Sequence, residues 1–391
     1  MPIDLATPTP ADGSRTHGVQ RLDAFALECG AVLEDVRQAF VLDGTIGAAR
    51  DNVVLVLHAL TGSADVSHPD TGWWRTLVGP GLAVDTTRLA VLAPNLLGSC
   101  YGSTGPSTPW RVRAGTWAGD GFPPVTPRDM AALVGLLVDE LALPRLAAVV
   151  GGSLGGMVAQ EWLLLHPGRA HAGVVLAAPA AHTAQAIAWN HTQREALALG
   201  ARTGDPDAGV ALARAVAMIS FRTEASLESR FGRTPAGDGA GPPFTVQRWL
   251  AHHGERLAAR FDAATYRTLL DAMDAHDVTR GRGSRELALR ALGASVERLF
   301  AVGVPGDVLY SDVVVEEWAR GAGAAYRAIR STYGHDAFLL EPDQVGMVLR
   351  DAVEDAPPRA AALSSHLLAD ASEPIAPRRP GGRRPACCAA R

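Results

Sequence analysis

The feature that most constrains this chain is a glycine-rich turn between an apolar segment and a helical one. Residues 146–150 form an apolar run of strand length, and residues 157–165 favour a helix. Between them Ser153 stands in the motif Gly-x-Ser-x-Gly, which is typical of a sharp strand–turn–helix connection called a nucleophile elbow. The turn strains the serine backbone, so its neighbours must be small, and four of them are glycine. The motif predicts a serine hydroxyl exposed at a sheet edge beside a helix N-terminus.

Strands and helices are predicted to alternate on both sides of this turn. Apolar runs bounded by turn residues predict further strands at 32–43, 52–57, 88–93, 173–177, 298–302 and 324–329. Helical periodicity predicts helices at 126–141 and 343–353. This order favours an α/β fold with a doubly wound, mostly parallel sheet.

The alternation is interrupted between residues 181 and 294. This stretch is helical in period throughout, with loop breaks at 204–207 and 235–243. We interpret it as a helical lid inserted into a core formed by residues 19–180 and 295–356. Residues 1–18 and 357–391 have compositions typical of a disordered leader and a disordered tail.

Composition excludes several classes of function. The net charge of −5, with no basic face evident, gives no indication of nucleic-acid binding. No apolar run reaches transmembrane length, and the polar N-terminus is not a signal peptide. The four cysteines, Cys29, Cys100 and the adjacent Cys387-Cys388, form neither a disulfide framework nor a zinc spacing. We therefore expect a cytoplasmic protein with no membrane partner.

A serine at such a turn needs a histidine to take its proton and a carboxylate to orient that histidine. On this fold the order along the chain is serine, acid, histidine. Asp307 follows the predicted strand after the lid, and His335 follows the next strand. Asp312 is the local alternative to Asp307. The sequence therefore predicts the catalytic residues Ser153, Asp307 and His335.

Two backbone N–H groups are candidates for stabilising an oxyanion. The predicted strand at 52–57 is buried in character and leads into the small-residue loop at 58–62. In a fold with a nucleophile elbow, one donor is the residue after the serine and the other comes from such a loop. The sequence therefore predicts the N–H groups of Leu154 and Leu60 as the oxyanion hole.

At this point the motifs of the chain resemble a known family. Together they are similar to the homoserine O-acetyltransferases, which are α/β-hydrolase-fold acyltransferases of methionine biosynthesis. The resemblance covers about residues 50–340. Its motifs are His58 to Gly62, Gly72-Trp73-Trp74, Gly79-Pro80-Gly81, Asn95 to Pro106, Thr126 with Arg128-Asp129, Gly151 to Met157, Arg214 with Ala217-Met218, Arg230 to Arg233, Arg260-Phe261-Asp262, His276-Asp277 and Gly334 to Phe338.

The resemblance implies a ping-pong reaction with two small-molecule substrates. Acetyl-CoA acylates the serine as a co-substrate, with no cofactor bound permanently, and the hydroxyl of homoserine then takes the acetyl group. It also implies that the lid forms a tunnel and that the protein is a homodimer. Arg214 matches a family arginine that looks like the clamp for the carboxylate of the amino-acid substrate. A guanidinium suits this role because it can bind a carboxylate through two parallel hydrogen bonds. Asp336 matches the acid that contacts the substrate amino group.

The sequence departs from the family at positions near the substrate or the tunnel. Phe221 stands where the family usually has tyrosine, so one hydroxyl is missing. The segment between residues 200 and 210 is shorter, and residues 116–122 lack the usual Tyr-Gly. Serine, another hydroxylated amino acid, a specialised-metabolite alcohol and a succinyl donor therefore stay open. A serine esterase with the same three residues and a non-enzymatic binding protein are the alternative functions.

One further cluster has the composition of a metal site. Asp274, His276 and Asp277 lie close together on a predicted helix. Acid and histidine clusters on helices are usually solvated or structural, and we expect no metal there.

Overall fold

The computed structural model describes residues 4–5, 15–237 and 243–354. Its strands, in chain order, are β1 (Asp4–Leu5), β2 (Arg15–Ala26), β3 (Val32–Asp43), β4 (Val53–Leu57), β5 (Val78–Gly79), β6 (Val84–Asp85), β7 (Ala90–Pro94), β8 (Arg111–Val112), β9 (Leu146–Gly152), β10 (Ala170–Leu176), β11 (Arg298–Gly303) and β12 (Ala325–Ala328). The predicted tail at 357–391 lies outside the described residues.

The helices, in chain order, are α1 (Pro127–Glu140), α2 (Leu154–Leu165), α3 (Ala184–Thr203), α4 (Pro206–Ser220), α5 (Glu224–Phe231), α6 (Thr245–Ala258), α7 (Ala263–Asp274), α8 (Arg285–Ala294), α9 (Asp312–Ala322), α10 (Ala337–Leu340) and α11 (Pro342–Val353). A 3₁₀ turn at Gly334–Asp336 precedes α10.

The main sheet has the strand order β1-β2-β3-β7-β4-β9-β10-β11-β12, with β8 paired to β3. From β7 to β12 the strands are parallel, whereas β1, β2, β3 and β8 pair antiparallel. The strand that carries the elbow, β9, lies near the centre, between β4 and β10. The predicted fold class, a mostly parallel doubly wound sheet with an inserted helical segment, is confirmed.

Helices cover both faces of the parallel part of the sheet. All five residues of β4 are buried, as expected for a parallel strand that is packed on both sides. Leu55 and Leu57 face the core that includes α1 and α2, while Val54 and Val56 face the core that includes α11. This packing on both faces fixes the position of each strand, and therefore the position of the loop that follows the strand at the carboxyl edge of the sheet.

The six helices α3 to α8 lie between β10 and β11. Within this insertion α4 packs against α3 and α6 at glycine contacts: a Cβ on Gly200 would lie 2.6 Å from the Gly209 Cα, and one on Gly254 would lie 2.6 Å from the Ala211 carbonyl oxygen. The close approach of these helices holds α4, and the residues that follow it, above the sheet edge.

The structure differs from the predicted boundary of the lid at its end. The predicted lid includes α8, but this helix packs against α2 and α9 of the core. Its residues Ala288, Leu289 and Leu292 are buried. Period alone predicts a helix, and it carries no information on which body that helix joins.

The structure also differs at the predicted leader. Residues 15–18 are the start of β2, which pairs with β3 along its length, and β1 at residues 4–5 pairs with β2. Opposite Phe40, a Cβ on Gly18 would lie 2.2 Å from the ring, so glycine is the residue that fits there. A strand exposed on one face is polar enough to resemble an unstructured segment, which is why composition alone misses it.

Candidate active site

Ser153 sits in the turn between β9 and α2 with φ 55° and ψ −124°. A residue with a side chain rarely adopts these φ and ψ angles, so the surrounding packing must hold Ser153 in this conformation. The packing leaves no room beside the serine: a Cβ on Gly151 would lie 2.1 Å from the Gly155 carbonyl oxygen, and one on Gly155 would lie 2.1 Å from the Leu57 carbonyl oxygen. The helix begins at Leu154, three positions before the predicted residue 157.

The structure brings the three predicted catalytic residues together. The Ser153 Oγ lies 2.9 Å from His335 Nε2, and His335 Nδ1 lies 2.8 Å from Asp307 Oδ2. With Nδ1–H donating to the carboxylate, Nε2 is free to accept from the serine hydroxyl. All three residues are at most 5% exposed. This arrangement can remove the hydroxyl proton as the serine attacks a carbonyl carbon.

The turn after β11 fixes the orientation of Asp307. Its Oδ1 accepts from the backbone N–H groups of Leu309, at 2.8 Å, and Tyr310, at 3.0 Å, which leaves Oδ2 for His335. The alternative acid, Asp312, is the first residue of α9 and follows the N-cap Ser311, whose side chain accepts from Val313. The structure therefore places Asp307, and not Asp312, against the histidine.

The residues predicted to form the oxyanion hole lie on two adjoining segments. Leu154 is the first residue of α2, where backbone N–H groups have no partner within the helix. Leu60 is buried in the loop after β4. The start of α2 touches that loop, since a Cβ on Gly155 would also lie 2.8 Å from the His58 carbonyl oxygen.

His58 holds this loop in place. Its Nδ1 lies 2.8 Å from the Ala59 carbonyl oxygen, and its Nε2 accepts from the Leu96 N–H at 3.0 Å. Burial lowers the pKa of His58 to about 4, so the ring is neutral at physiological pH. The histidine therefore connects the loops after β4 and β7 without adding a charge to the site.

The charged residues beside the triad are arranged differently from the expectation. The predicted carboxylate clamp, Arg214 on α4, lies over the ring of Phe221, with its guanidinium carbon 5.3 Å from the ring centre. Phe221 in turn lies 5.5 Å, between ring centres, from His335. The residue that departs from the family pattern thus contacts both the clamp candidate and His335.

Asp336 is in direct contact with a different arginine. Its Oδ2 pairs with Arg222 Nη2 at 3.0 Å, and both side chains are largely buried. Burial raises the pKa of Asp336, while the charges of Arg222 and Arg214 oppose that rise. Burial also lowers the pKa of Arg214. Two cations and one carboxylate therefore lie beside the triad.

Tyr310 and His182, which no sequence pattern indicates, form a connected pair beside His335. The Tyr310 ring lies 5.2 Å, between ring centres, from His335, and its hydroxyl lies 2.9 Å from His182 Nε2. The His182 Nδ1 lies 2.9 Å from a carboxylate oxygen of Asp274. Burial raises the pKa of Tyr310 well above its usual value, so the phenol stays protonated. No local motif marks either residue, because their contacts join distant parts of the chain.

The cluster considered for a metal has other partners. Asp274 pairs with Arg194 at 2.7 Å, and His276 Nε2 lies 3.1 Å from the Pro179 carbonyl oxygen. Burial lowers the pKa of His276 to about 4. Asp277 accepts from the backbone N–H of Thr279. Within the part of the chain that the structure describes, no group of three or more acidic, histidine or cysteine side chains is arranged to hold a metal ion.

Among the described helices, none is both long enough and apolar enough to span a bilayer. The described cysteines, Cys29 and Cys100, are free thiols.

A mostly parallel sheet with serine, acid and histidine meeting at its carboxyl edge defines a protein of the α/β-hydrolase fold. In agreement, residues 52–219 match the family model described as the alpha/beta hydrolase fold.

The chain is also similar to known proteins over most of its length. It is 44% identical over 369 residues to the homoserine O-acetyltransferase of Thermus thermophilus, covering 89% of this chain and 93% of the relative. The crystal structure of homoserine O-acetyltransferase from Bacillus anthracis superimposes with a TM-score of 0.76 at 20% identity, covering 89% of this chain and 99% of that one. An esterase structure gives a TM-score of 0.75 at 20% identity, with coverages of 87% and 100%. The chain belongs to the homoserine O-acetyltransferase family and is an acyltransferase; the resemblance inferred from the sequence is confirmed.

Proposed function

We propose that this protein transfers acetyl from acetyl-CoA to the hydroxyl of L-homoserine through an acyl-Ser153 intermediate. The observation that carries the proposal is the hydrogen-bonded chain from Ser153 through His335 to Asp307, with the half-buried Arg214 against the Phe221 ring that also contacts the histidine. The 44% identity to a homoserine O-acetyltransferase supports homoserine as the acceptor.

The first half-reaction forms the acyl-enzyme. The Ser153 Oγ attacks the thioester carbonyl carbon while His335 Nε2 takes its proton, and the oxyanion that forms is stabilised by the N–H groups of Leu60 and Leu154. When the intermediate collapses, the carbon–sulfur bond breaks and CoA leaves with the proton from His335. Asp307 holds the imidazole in the tautomer that this transfer needs.

The second half-reaction returns the serine. His335 Nε2 removes the proton from the homoserine hydroxyl, whose oxygen attacks the acyl-Ser153 carbonyl carbon. The ester bond to Ser153 breaks, its Oγ regains the proton from His335, and O-acetylhomoserine leaves. Arg214 supplies a cation for the acceptor carboxylate, and Asp336 supplies the negative charge for its ammonium group. This second role requires Asp336 to share its charge between Arg222 and the substrate.

The proposal extends to the setting of the enzyme. An acetylated homoserine suits a place in methionine biosynthesis, as the resemblance implies. The free thiols of Cys29 and Cys100 support a reducing cytoplasm. A homodimer follows from the resemblance as well, and light scattering on the purified chain tests it.

The decisive experiment incubates the purified protein with acetyl-CoA and a panel of hydroxy amino acids. Free CoA thiol and the acetylated product are quantified together for homoserine, serine and threonine, with a reaction lacking any acceptor beside them. We expect product in proportion to thiol, and the highest kcat/KM with homoserine.

Other outcomes separate the alternatives. Equal thiol release with and without acceptor identifies an esterase-like hydrolysis. A preference for serine, or for an alcohol that is not an amino acid, contradicts homoserine as the acceptor. This alternative is the most relevant one, because Phe221 lacks the hydroxyl that the family's tyrosine carries. Faster turnover with succinyl-CoA contradicts the acetyl donor.

A further inference from the structure

Two cavities beside the site share a pair of arginines. The smaller, of about 220 Å³, is lined by Arg214, His253, Arg256, Leu257 and Arg260. The larger, of about 880 Å³, is an open groove to which Arg256 and Arg260 also contribute. The two arginines therefore stand at the junction between a small cavity that reaches Arg214 and a groove large enough for a sizeable ligand.

Neither of these arginines is neutralised by a carboxylate within residues 15–237 and 243–354. Arg256 is exposed near the end of α6. The Arg260 guanidinium donates to the Thr61 carbonyl oxygen at 3.0 Å and to the Tyr101 hydroxyl. These two contacts hold its position and leave its charge uncompensated.

The positive charge of this region affects a neighbouring group. The pKa of His253 is lowered to about 4, by burial first and then by the charges of Arg214, Arg222 and Arg256. The arginines add to the effect of burial on this pKa, and such a concentration of positive charge favours binding of an anion.

The arginine pair also lies near two parts of the site, the proposed oxyanion loop and Arg214. Thr61, whose carbonyl Arg260 holds, directly follows Leu60 of the proposed oxyanion loop. Arg214, on the other side, contacts the phenylalanine that lies against His335. The arginine pair therefore lies near the proposed oxyanion loop and, through the smaller cavity, near Arg214.

We propose that Arg256 and Arg260 bind the phosphate groups of the coenzyme A part of the acyl donor, with its nucleotide in the larger groove. The proposal rests on the proposed function, since it names the binding site of that donor. Guanidinium groups match phosphate oxygens in pairs of parallel hydrogen bonds. Trp73 and Tyr101 line the same groove and offer aromatic faces on which an adenine ring can stack.

The carboxylates of the groove do not cancel this charge. Asp65 pairs with Arg15, and Asp70 is exposed, where solvent and salt screen it. The remaining charged or titratable members of the lining are Arg75 and His17.

The test compares acetyl-CoA with S-acetylpantetheine, which carries the same thioester arm and no phosphate. In Arg256→Gln we expect the ratio of kcat/KM for acetyl-CoA to kcat/KM for S-acetylpantetheine to fall about tenfold, the effect of one charge-assisted contact at a screened position. The matched control is Arg248→Gln, an exposed arginine of the same helix that lines neither cavity. An unchanged ratio in Arg256→Gln overturns the proposal.

A second measurement uses the wild-type protein and does not depend on a variant that folds. Adenosine 3′,5′-bisphosphate should compete with acetyl-CoA, and raising the salt concentration should weaken that competition because it screens the phosphate contacts. Absence of competition overturns the proposal.

The two proposals fail in distinguishable ways. If neither thioester acylates Ser153, the proposed function fails, while direct titration with the bisphosphate still decides whether the groove binds phosphates. If both thioesters acylate Ser153 and the bisphosphate does not bind, only the arginine site is wrong.

Discussion

The two sides of the active site are held to very different degrees. On the sheet side, Ser153, His335 and Asp307 are buried, and each is bonded directly to the next. On the insertion side, Arg214 rests on an aromatic ring, and Arg222 pairs with Asp336 through side chains that are both largely buried.

The difference reflects what surrounds each side. The sheet side is enclosed by strands whose carboxyl ends meet, and by glycines that admit no Cβ. Rigid positioning there suits the chemical steps, which depend on sub-ångström geometry. The insertion side depends on a few charged and aromatic contacts, so we expect a single substitution, such as phenylalanine for tyrosine, to change the preferred acceptor without changing the chemical steps.

The largest effect is expected for Ser153→Ala. Removing the nucleophile should reduce turnover by about 10⁴-fold or more, with the fold retained. Intact-mass spectrometry after mixing with acetyl-CoA should show an acetyl adduct on the wild type and none on the variant. An adduct that maps to Cys100 in both proteins would contradict the assignment of the nucleophile.

The next largest effect is expected for Asp307→Asn, and its kcat is compared with that of Asp312→Asn. Asp307→Asn should lower kcat by about 10³- to 10⁴-fold, because the amide no longer holds the histidine in the productive tautomer. Asp312→Asn should change kcat little, since its position in the first turn of α9 is explained by the helix. Steady-state kinetics of both variants, with circular dichroism to check folding, decides between them; a larger loss in Asp312→Asn reverses the two roles.

On the insertion side, Arg214→Ala should impair transfer much more than acylation. Losing one charge-assisted contact to the acceptor carboxylate corresponds to about 1.5–3 kcal/mol, or about ten- to a hundredfold in kcat/KM for the acceptor. Single-turnover acylation by acetyl-CoA is measured apart from transfer to homoserine. Arg202→Ala, an exposed arginine near the end of α3, is the matched control. Equal losses in both half-reactions would show that Arg214 serves the donor path or the fold.

The smallest effect is expected for Phe221→Tyr. If homoserine is the acceptor, a restored hydroxyl beside Arg214 and His335 should lower its KM by a few-fold, about the contribution of one neutral hydrogen bond. Phe221→Leu, which adds no hydroxyl, separates this gain from a change in packing. No change for homoserine, together with loss of activity on another alcohol, would identify that alcohol as the natural acceptor.

Much of the catalytic side could be predicted because its constraints are local. The glycines around Ser153 and the apolar run before it specify a strand, a turn and a helix from adjacent residues alone. Asp307 and His335 each follow a strand, and parallel strands bring their carboxyl ends to one edge whatever the details of packing. Secondary structure therefore carried most of the information about where these side chains lie.

The parts that could not be predicted involve surfaces that the sequence describes ambiguously. The half-exposed strand β2 has the polarity of an unstructured leader, and α8 has the same period whether it covers a lid or the core. The oxyanion N–H groups and the substrate roles of Arg214 and Asp336 stay predictions that the experiments above address.

The sequence by itself determined the nucleophile-elbow motif, the order of the serine, the acid and the histidine, and the alternation that builds the sheet, because each depends on neighbours along the chain or on a rule of strand direction. Only the tertiary structure decided which cation Asp336 meets and which ring contacts both Arg214 and His335. Arg214 and Arg222 both precede Asp336 in the sequence, one on α4 and one just beyond its end. The packing of α4 against α3 and α6 sets which of the two arginines reaches the Asp336 carboxylate. The distance from each arginine to that carboxylate is a property of the packed helices rather than of any one segment of the chain.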